Sequence, residues 1–171
     1  MLIFLIGFMG AGKSYWGKQW SSANRFSFHD LDALVEAKEN KTVSDIFNED
    51  GESHFRAIES EVLQSFNFPK PCIIACGGGT PCFNNNIAWM NNAGLTVFLK
   101  ATPLQIIANL QNDGAKRPLL ANLSGDALQE FVEQKLTDRA QCYEAAKLTL
   151  HTRHLDTNSL HSLIDLHKNN A

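Results

Sequence analysis

A chain of 171 residues, 44% apolar and 19% charged, has the length for one properly buried core but hardly for two. Its formal net charge of −3, with Lys and Arg scattered singly, excludes the basic stripe of a nucleic-acid surface. The apolar start has no basic segment and no small-residue cleavage site, and is too short for a signal core or membrane span, so the expectation is a single cytoplasmic domain over residues 1–171, a monomer with no nucleic-acid or membrane partner.

The first element is the run Met1-Leu2-Ile3-Phe4-Leu5-Ile6, a buried strand. Directly after it, residues 7–14 read Gly-Phe-Met-Gly-Ala-Gly-Lys-Ser, the spacing G-x-x-x-x-G-K-S. Gly7, Gly10 and Gly12 let successive backbone N–H groups turn inward, Lys13 reaches β and γ phosphates, and Ser14 offers a hydroxyl to Mg²⁺. A helix from about Lys13 to Ser22 points its positive end at the same place. This strand, loop and helix predict ATP or GTP binding; the alternative is a glycine-rich turn without a ligand.

A second strand near Phe26 to His29 ends in Asp30-Leu31-Asp32, at the carboxyl edge where open α/β sheets bind ligands. One carboxylate can hold Mg²⁺ through its water shell while the other accepts a hydrogen bond from an attacking hydroxyl. Asp30 can also cap the following helix, Leu31 to Glu39, and the two roles are compatible. Helices follow over Val43 to Glu49 and Glu52 to Phe66; within the latter, Arg56 and Glu59 are three apart, which by itself reads as a surface ion pair.

The third strand, Cys72 to Cys76, runs into Gly77-Gly78-Gly79, either a tight turn or a loop whose bare backbone approaches a small ligand. Helix Asn85 to Ala93 and strand Leu95 to Leu99 come next, then Thr102-Pro103, a hydroxyl cap with proline at the first helical position, opening a helix to Gln111. Residues 112–122 mix breakers with Lys116-Arg117 and fit a mobile loop over the phosphates. Helix Gly125 to Ala146, strand Leu148 to Thr152 and helix Ser159 to His167 complete the chain. Strands alternating with helices predict a doubly wound parallel sheet. Cys72, Cys76, Cys82 and Cys142 are read as reduced packing thiols, the tryptophans as packing against the sheet, and the six histidines as surface groups. A switch GTPase is disfavoured: no Asp-x-x-Gly is present, and Asn40-Lys41-Thr42-Val43 has valine where a guanine-reading carboxylate belongs.

In this order, the phosphate loop, Asp30-x-Asp32, Gly51-Glu52-x-x-Phe55-Arg56-x-x-Glu59, Gly77-Gly78-Gly79, Arg117-Pro118-Leu119-Leu120 and Arg139-x-x-x-Tyr143 resemble the shikimate kinase family over nearly the whole chain. The resemblance implies an α/β P-loop NTPase fold of the nucleoside-monophosphate-kinase type. That is a three-layer sandwich with a five-stranded parallel sheet in order 2-3-1-4-5, a shikimate-binding region about 31–60 and a mobile lid about 112–122. It implies transfer of the ATP γ-phosphate to the 3-hydroxyl of shikimate, with Mg²⁺ held by Ser14 and, through its outer shell, Asp30. Lys13, Asp32 and Arg117 would be catalytic. ATP would lie on Gly10, Ala11, Gly12, Lys13, Ser14, Tyr15, Arg117 and Arg153. Shikimate would be held by Asp32, Arg56, Arg139 and the backbone of Gly78 and Gly79. The chain departs from the family pattern at Gln141, where proline is common, at His151, where aspartate often stands, and at Leu110-Gln111-Asn112, which lacks the arginine that often lies against adenine. Two other readings stand beside it: a sibling kinase of gluconate type, and a catalytically silent ATP-binding module.

Overall fold

The continuous apolar runs become strands covered on both faces. The computed structural model describes residues 1–112, 123–162 and 164. All five residues of β1 (Leu2–Ile6) are buried. It lies between β3 (Cys72–Ala75) and β4 (Leu95–Lys100), with β2 (Ser27–Asp30) and β5 (Leu148–His151) outside them, giving the order β2-β3-β1-β4-β5. All pairings are parallel, Leu2 opposite Cys72 and Ile3 opposite Leu95.

The helices are α1 (Lys13–Asn24), α2 (Leu31–Glu39), α3 (Val43–Glu49), α4 (Gly51–Ser65), α5 (Asn86–Ala93), α6 (Pro103–Asn112) and α7 (Gly125–Glu144), with 3₁₀ turns at Thr80–Cys82 and Thr152–His154. Residues 159–162 are helical as well. Successive strand residues face opposite sides, so β1 divides its side chains between two cores. Leu2, Phe4 and Ile6 pack with Leu31, Val35, Phe55, Val62 and Tyr143. Ile3 and Leu5 pack with Trp20, Val97 and Leu160. Trp20 is fully buried and its Nε1 donates to the Asp156 carbonyl at 2.7 Å, the packing role expected of it. All four cysteines are free.

A third cluster, Phe8 with Ile106, Leu128 and Val132, ties the phosphate loop to α6 and α7. Because the strands are parallel, the loops after β1, β2 and β3 emerge at one edge, and the site is assembled there. The expected lid, with Arg117, lies outside the described residues.

Candidate active site

The loop between β1 and α1 turns through left-handed backbone at Gly10 (φ 80°) and Gly12 (φ 85°), conformations that side-chain-bearing residues resist. Lys13 is buried, and its Nζ donates to the carbonyls of Gly7 and Phe8, both at 2.8 Å. The first turn of α1 carries no acidic residue, so its positive end is left for an anion. From the other side, Asn109 of α6 donates through Nδ2 to the Gly10 carbonyl at 2.8 Å. Gly10, Ala11, Gly12, Lys13, Ser14 and Tyr15 line a cavity of about 940 Å³ together with Asp30, Asp32 and Gly78.

The two aspartates sit in different surroundings. Asp30 is the N-cap of α2: its Oδ1 accepts from the Asp32 N–H at 3.1 Å. Its Oδ2 accepts from the Ser14 hydroxyl at 2.6 Å. Among the described residues there is no cluster of three or more His, Cys, Asp or Glu able to cage a metal ion. A hydroxyl and a carboxylate beside a phosphate cradle instead suit Mg²⁺, which keeps most of its water and takes few protein ligands. Asp32 is pushed up from 3.8 to about 6, chiefly by burial and then by the charges of Asp30 and Glu59, with Lys13 and Arg56 pulling the other way.

The Arg56–Glu59 spacing, which read as a surface pair, is buried. Arg56 donates to Glu59 Oε2 at 2.8 Å, and through Nη2 and Nε to Glu52 Oε1 at 3.0 and 3.2 Å. The rings of Phe83, Phe55 and Phe47 stand 4.7, 5.0 and 5.8 Å from its guanidinium carbon. Glu59 is fully buried and also accepts from the Thr80 hydroxyl at 2.5 Å, linking α4 to the turn after β3.

Steric contact, rather than backbone conformation, accounts for the glycine triplet. A Cβ on Gly77 would stand 2.6 Å from Glu59 Oε1 and 3.0 Å from Asp32 Oδ1, one on Gly78 would crowd the Met9 backbone nitrogen at 3.1 Å with Arg139 Nη1 in ordinary contact at 3.6 Å, and one on Gly79 would stand 2.5 Å from Arg56 Nη2. The triplet thus brings Asp32, Arg56 and Arg139 around one bare strip of backbone. Arg139 is buried, and its Nη1 has no hydrogen-bond partner among the described residues. A buried guanidinium donor of this kind is one that an acceptor in the cleft can meet.

Arg153 is not brought in: it is exposed on the second 3₁₀ turn, and its neighbour Thr152 lines the cavity instead. The residues that the sequence reading left out are Phe47, Phe83, Thr80 and Asn109, which act through tertiary contacts; Glu59 was named beside Arg56 but its place as a buried hub was not foreseen. Only Glu59 carried a signal, its three-residue spacing from Arg56.

The sequence profile of the family described as shikimate kinase matches residues 9–166. The chain belongs to the shikimate kinase family. A shikimate kinase from Phocaeicola vulgatus is 41% identical over 145 residues, covering 85% of this chain and 83% of the relative. The crystal structure of shikimate kinase from Bacteroides thetaiotaomicron superposes with a TM-score of 0.89 at 34% identity, covering 96% of this chain and 98% of that one. Shikimate kinase from Acinetobacter baumannii in complex with shikimate gives 0.86 at 28% identity, covering 99% and 93%. Family membership makes the chain an ATP-dependent kinase, and the observed strand order is the one the resemblance implied.

Proposed function

We propose that the chain transfers the γ-phosphate of ATP to the 3-hydroxyl of shikimate, releasing shikimate 3-phosphate and ADP. The observation that carries this reading is the pair of buried guanidiniums, Arg56 and Arg139, set against a side-chain-free triplet that also touches Asp32. Two such groups suit a carboxylate, which guanidinium meets with a planar fork of donors. Asp32 then accepts a hydrogen bond from the reacting hydroxyl and orients it, or takes its proton, while the N–H groups of Gly78 and Gly79 bind alongside.

Lys13 exchanges its loop carbonyls for β and γ phosphate oxygens, and Gly10 to Tyr15 cradle the phosphate chain. Ser14 and Asp30 would hold Mg²⁺, which would supply positive charge against the phosphate oxygens. Arg117 is assigned the lid role, neutralising charge on the phosphoryl in flight. Arg153 is kept as a contact to the base only from its place beside Thr152. We place the enzyme in the cytoplasm as a monomer without nucleic-acid or membrane partners; no helix among the described residues is long and apolar enough to cross a membrane.

The test is Mg²⁺-dependent ADP release from ATP with shikimate, with gluconate and with no acceptor, followed by identification of the phosphorylated product. Shikimate-dependent release yielding shikimate 3-phosphate is expected. Release only with gluconate, or ATP binding without acceptor-dependent release, overturns the reading.

A further inference from the structure

Helix α7 presents two side chains to one glycine. Arg139 and Tyr143 are four residues apart and so share a helix face. Arg139 Nη1 lies 3.6 Å from where a Gly78 Cβ would stand, and the Tyr143 hydroxyl donates to the Gly78 carbonyl at 2.6 Å. The phenol is firmly seated: it is 1% exposed, and its ring stacks on Phe98 with centroids 5.1 Å apart and planes 21° from parallel. Phe98 belongs to β4, which has a strand on either side, so the anchor is the sheet itself. Burial pushes the phenol pKa up, which keeps the hydroxyl a donor through the neutral range.

The three carbonyls of the glycine triplet are each satisfied differently. That of Gly77 accepts from the Thr80 N–H at 3.1 Å and that of Gly79 from the Cys82 N–H at 2.9 Å, both bonds internal to the turn. The middle carbonyl, that of Gly78, is taken by Tyr143 from a distant element. Two adjoining glycines leave the peptide between them free to rotate, since neither has a Cβ to restrict it. A trans peptide is planar, so its C=O and N–H point in opposite directions. The hydroxyl that pins the Gly78 carbonyl toward α7 therefore aims the Gly79 N–H away from it, and Gly79 packs on the Arg56 guanidinium.

We propose that Tyr143 is a positioning residue for the acceptor: its hydroxyl fixes the orientation of the Gly78–Gly79 peptide and hence the direction of a donor N–H in the cleft between Arg56 and Arg139. This rests on the assignment of the acceptor to that cleft. Tyr143→Phe keeps the ring, its volume and its stack on Phe98, and removes one hydroxyl. Steady-state kinetics of wild type and variant, varying shikimate and ATP separately, test it. The shikimate KM is expected to rise about tenfold, the size of one lost hydrogen bond that leaves its buried partner unsatisfied, while kcat and the ATP KM stay within about twofold. An unchanged shikimate KM in the variant, with an active wild type, overturns the positioning role alone. So does a parallel rise in both KM values with a fall in kcat, the mark of a general structural defect. A wild type without shikimate-dependent ADP release overturns the functional reading and this inference together.

Discussion

At the scale of single residues, Asp32 carries a cost that the fold has accepted. Its carboxyl holds a proton more tightly in the native state (about 6) than in the unfolded chain (3.8), because burial and the neighbouring Asp30 and Glu59 disfavour the charge. Stability is therefore full below the unfolded value and falls as pH rises through about 6, with a loss on the order of 3 kcal/mol at neutral pH. Asp32→Asn is expected to raise unfolding stability by about 2–3 kcal/mol at pH 7.5, with the gain gone by pH 4, while activity falls by about a hundredfold or more. Urea titrations at the two pH values check this, and an equal gain at both would refute it. With Asp32 as the proposed acceptor of the hydroxyl's proton, the kcat/KM profile for shikimate is expected to show an ascending limb near pH 6, and a flat profile there would count against that role. The proposed role of Arg117 predicts a different pattern. Arg117→Ala should lower kcat by about a thousandfold with little change in shikimate affinity, because an arginine that meets the transferring phosphoryl acts on the transition state. Normal turnover in that variant would remove the assignment.

Among the elements, the decisive join is between α4 and the turn that follows β3. Glu59 holds Arg56 from one side and Thr80 from the other, and beyond it Ser60 and Asn86 are bonded at 2.8 Å, with Gln64 donating to both at 3.1 Å. This polar seam keeps Arg56 in place and leaves it little room to yield. Gly79→Ala would set a Cβ 2.5 Å from Nη2 and 2.7 Å from Cζ of that guanidinium. The guanidinium that must shift to admit the methyl is the proposed carboxylate clamp, so the shikimate KM should rise by about tenfold or more. ATP affinity should stay within about twofold, since the phosphate loop is built by β1 and α1. Fluorescent-nucleotide binding beside shikimate kinetics makes the comparison, and equal losses for both substrates would count against separate seats for the two.

For the molecule as a whole, the sheet was legible because β1, β3 and β4 are buried on both faces and so read as unbroken apolar runs. The phosphate loop was legible because its chemistry is local: eight consecutive residues contain all of it. Asp30 and Asp32 were legible for the same reason, being fixed by one strand end. Arg56 was legible only through the family resemblance, since spacing along a helix tells which residues are neighbours and not what covers them; the rings of Phe47 and Phe83 come from elsewhere in the chain. The hydroxyl of Tyr143 meets a carbonyl 65 residues away, and no window of sequence contains that contact. Thr152 lines the cavity and Arg153 beside it is exposed, a difference of one residue on a 3₁₀ turn that sequence periodicity does not resolve. Ligand linkage acts on the whole fold: Mg²⁺ and ATP at a hundred times the dissociation constant should stabilise it by about 2.7 kcal/mol, a rise of about 5–10 °C in Tm. A thermal melt with and without nucleotide measures it, and no shift would refute nucleotide binding. The ammonium of Lys13, resting on the carbonyls of Gly7 and Phe8, adds a kinetic consequence. The left-handed turns at Gly10 and Gly12 and the seat of Lys13 exist without a ligand, so the proposed nucleotide capture is an exchange of partners at Lys13 rather than an ordering of this loop. Nucleotide capture is then expected to show no slow phase from ordering of this loop, which stopped-flow binding would reveal.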